Sequence, residues 1–260
     1  LPLDLMLVAS ANPEDYTHRG RIITPLKDRF GSQVRTHYPE DIEDEIAIMD
    51  QEAAPPPEGV PVAVPRHLKE VVAAFAAQLR TSAQVNQRSG VSVRFSIGAL
   101  ETVGASALRR AVRAGEPEAV PRMVDLWSVL PASIGRIEFD SLEEGREPEI
   151  LARALKQAVA TVWRARLGGE DFTPLLERFE AGLTVDTSDS MSSADFLAQF
   201  GVGGHTTTVP GLERLVRRLG VTEESPAGVA GAIEFTLEGL HLGKRLNKES
   251  AGAGFVFGDI

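Results

Sequence analysis

Leu3-Asp4-Leu5-Met6-Leu7-Val8-Ala9-Ser10-Ala11-Asn12-Pro13 opens the chain with an apolar run that breaks at once into a polar turn. Near-continuous apolarity over this length predicts a strand at Leu3 to Ser10 covered on both faces. Such a strand needs neighbours, and the next strand expected is short, Gln33 to Tyr38. The sheet partners are therefore expected upstream of residue 1. Between the two strands come the turn at Asn12 to Asp15 and a short helix near Ile22 to Arg29, so residues 1 to 39 read as α/β.

Outward from this start the pattern changes to helix. Ile42, Ile46, Met49 and Ala53 recur at helical spacing with acids between them, which predicts an exposed acidic helix over Glu40 to Ala53. Five prolines and one glycine from Ala53 to Pro65 cannot continue it and form a stiff connector where a domain boundary is expected. Five apolar stripes follow. They are Leu68 to Leu79, Ile97 to Leu108, Leu151 to Val162, Phe172 to Phe179, and Leu212 to Leu219 with Gly220 as its stop. Ser225-Pro226 reads as the N-cap and first residue of a last helix running towards Leu246. Gly252 to Ile260 is expected to be a loose tail. The fold class expected is mainly α with a small α/β part.

The 260 residues carry 37 Asp+Glu against 27 Lys+Arg, a net charge of −10, which argues against a broad nucleic-acid or anionic-membrane surface. Without cysteine there is no disulfide, thiolate nucleophile or cysteine-based zinc site, and the five histidines make no closely spaced pair, so no metal ligands are assigned. A reducing cytoplasm is the natural setting. No apolar run approaches the roughly 18–20 residues of a membrane span. The glycine-rich stretch Gly201 to His205 lacks the lysine and preceding strand of a phosphate loop and reads as a surface loop. Arg214, Arg217 and Arg218 line a short helix that Glu213, Glu223 and Glu224 flank, which favours a solvated face over DNA recognition.

Three features carry possible chemistry. Arg19, Arg21, Lys27, Arg29 and Arg35 form a basic stretch opposed only by Asp28, suited to a phosphate or an acidic neighbouring subunit or simply to solvent. Asn12 lies just past the expected strand, where an amide can meet a phosphate or orient water, although Asn-Pro is also a plain turn signal. Ser92 is a plausible N-cap that would put Arg94 in the first helical turn, where a cation opposes the helix dipole.

Together these features resemble the second half of the nucleotide-binding module of AAA+ ATPases of the magnesium-chelatase I-subunit and MoxR-like group. Leu7 to Tyr16 is similar to the sensor-1 strand ending in its asparagine, Pro25-Leu26-Lys27-Asp28-Arg29-Phe30-Gly31 to the "LLDRFG" arginine-finger helix, and Asn86 to Arg94 to the sensor-2 entry of the helical lid. The motifs cover about residues 1 to 115. The resemblance implies the end of a P-loop α/β core at 1–52, a linker at 53–65, a helical lid with sensor 2 at 66–168 and a helical extension at 169–260. It implies Asn12 and Arg29 as catalytic residues, the latter acting on a neighbour's nucleotide, and Arg94 as a nucleotide-binding residue in its own or a neighbour's site. Arg21 and Arg35 would support the interface. ATP and Mg²⁺, a hexameric ring and a partner with a von Willebrand factor A domain are implied as well.

One departure is large. No G-x-x-x-x-G-K-[ST] loop and no Walker-B strand occur in the chain, since Gly239 to Arg245 has the wrong spacing and no Ser or Thr. The chain is thus expected to be the C-terminal portion of a longer ATPase and inactive alone. The alternative is a non-catalytic helical adaptor that docks a partner through residues after about 170.

Overall fold

The computed structural model describes residues 4–10, 29–87, 89–140, 145–201, 209–222, 224–251 and 254–260. The chain divides into two compact units, Leu1–His37 and Tyr38–Ile260.

In the first unit the expected strands are not formed. Residues 4–10 and 33–37 carry no ladder, and Leu5, Met6, Leu7 and Val8 are 68%, 89%, 69% and 80% exposed. A strand is a paired object, and among the described residues of this unit no backbone pairs with the apolar run. The helix expected near Ile22 to Arg29 lies outside the described residues, save Arg29 itself, which stands in a turn.

The second unit is mainly helical. Helix α1 (Ile42–Glu52) starts at Asp41, whose carboxylate accepts from Asp44 N at 2.8 Å. It is less exposed than its acids suggest, because Glu45 turns inward with Ile46 and Met49. The proline-rich stretch then runs extended inside the same unit, with Val62 bridged to Ala119. Helix α2 (Arg66–Thr81) buries its whole predicted stripe, Leu68, Val71, Val72, Phe75, Ala76 and Leu79. Helix α3 (Val93–Ala114) runs from Ser92 to Gly115, whose φ of 67° is a left-handed stop. Two short helices, α4 (Met123–Leu126) and α5 (Val129–Ser133), lead to the long α6 (Glu147–Leu167). Helix α6 packs along α2.

Helix α7 (Thr173–Glu180), strand β1 (Val185–Ser188), helix α8 (Ser193–Ala198) and helix α9 (Leu212–Leu219) follow. Helix α10 (Pro226–Leu242) is buried from Ala227 to Leu240 and touches α4, α6, α8 and α9, as expected of a helix apolar nearly all round. Its glycines permit that depth, since a Cβ on Gly239 would run into the Trp163 ring. Ser225 caps it, accepting from Gly228 N at 2.8 Å, and the helix ends at Leu242, short of Leu246.

The expected loose tail is instead a hairpin, β2 (Asn247–Ala251) and β3 (Gly254–Gly258). Strand β3 is the centre of an antiparallel sheet in the order β1-β3-β2, pairing Val185 with Phe257 and Lys248 with Phe257. Phe257 is fully buried, and Lys248 lies 4.0 Å over the Phe255 ring while its Nζ is 2.5 Å from Glu238. Burial of Phe257 and two ladders order what composition alone reads as a tail. One hydrophobic cluster joins Phe75 and Leu155 to Phe196, Phe235 and Phe257. No described helix is long and apolar enough to cross a membrane.

His67 sits inside this core, with Nδ1 3.2 Å from the Leu219 carbonyl and its ring 4.7 Å from Phe235. Burial pushes its pKa down to about 4 against the bond to Leu219, with Glu70 and Arg166 opposing one another nearby. The folded chain therefore refuses a proton that the unfolded chain accepts below about pH 6.5. Stability is fully present above that pH and is lost as pH falls towards 4. Between pH 7 and 4.5 the native chain is expected to lose about 2–3 kcal/mol more stability to urea than His67→Gln does, the buried Glu234 carboxyl acting with the opposite sign in both chains. Parallel pH profiles in the two chains would contradict it. The Glu70 carboxyl, held low by Arg166 and Arg66 in spite of burial, acts only below that window.

Candidate functional site

The start of α3 is the most constructed of the expected sites. Gly90 takes φ 64°, which glycine tolerates, and a Cβ there would collide with the Tyr38 hydroxyl. Gly90 N donates to the Asn86 carbonyl at 3.0 Å, and the loop is pinned further back by the Val85–Phe139 bridge. Ser92 then stops the extended chain, and its Oγ accepts from Arg94 N at 3.3 Å while Phe95 N donates to its carbonyl at 2.9 Å. Arg94 follows in the first turn, exposed, and no carboxylate among the described residues pairs with it. A helix start that carries an exposed guanidinium in its first turn is suited to an anion, because the dipole at that end and the cation both favour negative charge.

Behind this start lies an ion pair that the sequence does not reveal. Arg80, in the last turn of α2, meets both Glu45 oxygens at 2.6 and 2.8 Å and donates from Nε to the Val91 carbonyl at 2.9 Å. Ser96, in the first turn of α3, donates to the same Glu45. Tyr38 covers the guanidinium at 4.6 Å. Glu45 reads in sequence as one more acid on an acidic helix; only its position between Ile42 and Ile46 hints at the inward face.

Arg29 and Arg35 are exposed residues of the first unit. Asn12 and Arg21 lie outside the described residues, as does the glycine-rich stretch beyond Gly201. Of the basic residues on α9, Arg218 and Arg214 reach Glu170 at 3.0 and 3.7 Å, and the opposite face of that helix is buried. That is a paired surface helix. Among the described residues no group of three His, Asp or Glu could hold a metal ion.

Two further features were missed by sequence reasoning. A buried ionic network joins distant elements: Asp125 accepts from Arg110 Nη2 at 2.9 Å, from Ser106 at 3.0 Å and from Arg122 N at 2.9 Å. Arg122, fully buried, donates to the Ser188 and Met191 carbonyls at 2.9 Å each and lies 3.4 Å from Glu234, which also accepts from Thr187 at 2.8 Å. Burial pushes the Glu234 carboxyl up, opposed by Arg122 and the Thr187 bond, and pushes the Arg122 guanidinium down. Apart from the Arg122 N–Asp125 bond, which caps α4, these bonds join separate segments of the chain, so the network holds the fold. The second feature is an open groove of about 820 Å³ between α1, the proline stretch and α3, lined by Met49, Pro56, Val64, Leu100, Gly104 and Leu108 among others. Its lining residues run from Met49 to Arg109 and include none after residue 170, where the adaptor reading expects docking.

No known protein family matches this chain, and neither does any curated protein or solved structure.

Proposed function

We propose that this chain is the C-terminal part of a ring-forming AAA+ ATPase related to the magnesium-chelatase I-subunit and MoxR-like group, with the helices after residue 65 serving as lid and extension. The observation that carries the reading is Arg94, exposed and without a carboxylate partner among the described residues, in the first turn of a 22-residue helix that Ser92 caps. A cation placed against its own helix dipole is unfavourable by a few tenths to about 1 kcal/mol, and an anionic phosphate at the same place reverses the sign. The exposed run Leu5 to Val8 also supports it, since a sensor-1 strand is covered by sheet neighbours belonging to the rest of the core.

Under this reading Arg94 contacts a phosphate of ATP when the lid closes, and Arg29 reaches the γ-phosphate held by the next subunit. Asn12 positions the attacking water, and Arg21 and Arg35 support the interface. The described residues do not fit Mg²⁺, which would belong to residues outside them, so no step is assigned to it. The von Willebrand-type partner, a cytoplasmic setting and a hexameric ring are parts of the same proposal.

Steady-state kinetics on the complete protein test it. Arg94→Ala removes one charge-assisted contact, about 1.5–3 kcal/mol, and is expected to raise KM for ATP roughly 10- to 150-fold. An unchanged KM, or the absence of a P-loop in the gene upstream of Leu1, would sink the reading.

A further inference from the structure

We infer that Arg80 and Glu45 are positioning residues that set the helix start carrying Arg94, an inference that rests on the nucleotide role proposed for that residue. Three elements meet at this pair. Glu45 comes from the first turn of α1, Arg80 from the last turn of α2, and the atoms they hold, the Val91 carbonyl and the Ser96 hydroxyl, lie on either side of Arg94.

The chemistry explains why these side chains suit the task. A guanidinium presents a planar fork with a further Nε–H at the side, so one arginine can hold a carboxylate with two parallel bonds and a carbonyl with a third. Arg80 does this, and nothing shorter or with a single donor centre could. The Val91 carbonyl is the last one before the N-cap residue, so fixing it fixes where Ser92 turns the chain into α3. Glu45 is nearly fully buried and spends its oxygens on Arg80 and Ser96. A buried pair of this kind need not add net stability over apolar residues, but it admits few alternative geometries. Phe95 adds an apolar anchor on the same turn, with its ring 5.5 Å from Phe75 of α2. Arg94 is the one fully exposed residue of that turn, beside a half-buried Val93, with tethers at Val91 before it and at Phe95 and Ser96 after it.

Two measurements test this. In the 260-residue chain, hydrogen exchange in Arg80→Met is expected to speed up about tenfold over residues 91–98 relative to residues 103–111 of the same helix. Equal acceleration along the helix, or none, would mean a merely structural role and overturn the inference. Arg80→Lys keeps a charge beside Glu45, so it folds even where the methionine variant does not, and it lacks the fork that meets both Glu45 oxygens and the Val91 carbonyl at once; the same local contrast is expected. In the complete protein, Arg80→Met is expected to raise KM for ATP about tenfold with kcat within twofold, and to add little on top of Arg94→Ala. A raised KM in Arg94→Ala with a normal KM in Arg80→Met overturns the positioning role alone. A normal KM in Arg94→Ala overturns the nucleotide reading, and the exchange contrast then still decides whether Arg80 sets the helix start.

Discussion

Arg29→Ala in the complete protein is expected to lower ATP turnover at least a thousandfold while nucleotide affinity stays within a few fold. In phosphoryl transfer the protein supplies position and charge, and a finger arginine delivered across an interface contributes roughly 10³–10⁵ in rate, about 4–7 kcal/mol of barrier. Affinity is spared because the finger acts on charge that develops in the transition state. Arg29 is exposed, which the proposed role across an interface requires. Arg29→Lys keeps the charge without the fork and should restore only part of the rate. Mixing Arg29→Ala subunits with subunits unable to bind nucleotide separates action across the interface from action within one subunit. Turnover unaffected by Arg29→Ala would end the finger assignment while leaving the Arg94 test standing.

Asp125→Ala is expected to be the most damaging single change to the fold, removing about 3–5 kcal/mol of stability. Three donors lose their acceptor at once: the Ser106 hydroxyl, the Arg110 guanidinium and the Arg122 backbone N–H at the start of α4. Arg110 is buried and keeps only Glu116, at 3.2 Å, and the Val120 carbonyl, at 2.8 Å. At roughly 2–4 °C per kcal/mol for a chain of this size, the melting temperature should fall by about 6–20 °C. Asp125→Asn leaves an acceptor for one or two of these donors and should cost less. Calorimetry that shows under about 1 kcal/mol for the alanine variant would mean that Glu116 takes over Arg110 completely.

The longer helices of the second unit were legible because their signals are local, whereas the short α4, α5 and α8 carried no such signal. The stripe from Leu68 to Leu79, the Ser92 and Ser225 caps and the Gly220 stop each depend on residues within a turn or two, and each stands where the spacing puts it. The exposed Arg94 was legible for the same reason. The Arg80–Glu45 pair was not, because 35 residues separate its members and nothing in either neighbourhood names the other. The hairpin at the C-terminus was misread as a loose tail because its pairing partner, Val185–Ser188, lies far away in the chain.

By itself the sequence determined a mainly helical chain without cysteine, the phase of the longer apolar faces, and the placement of an arginine two residues beyond a serine cap. Only the tertiary structure decided which charges go inside. Glu45, Asp125 and Glu234 are indistinguishable in kind from the acids that stay in water, yet each is buried against an arginine supplied by another element. The reason is energetic. A buried carboxylate is tolerable only where a cation and further donors converge on it, and convergence is a property of packed elements rather than of neighbouring residues. The same holds for strands: Gly254–Gly258 became one by finding two partners, while the more apolar run at Leu5 to Val8, with none among the described residues of its unit, stayed exposed.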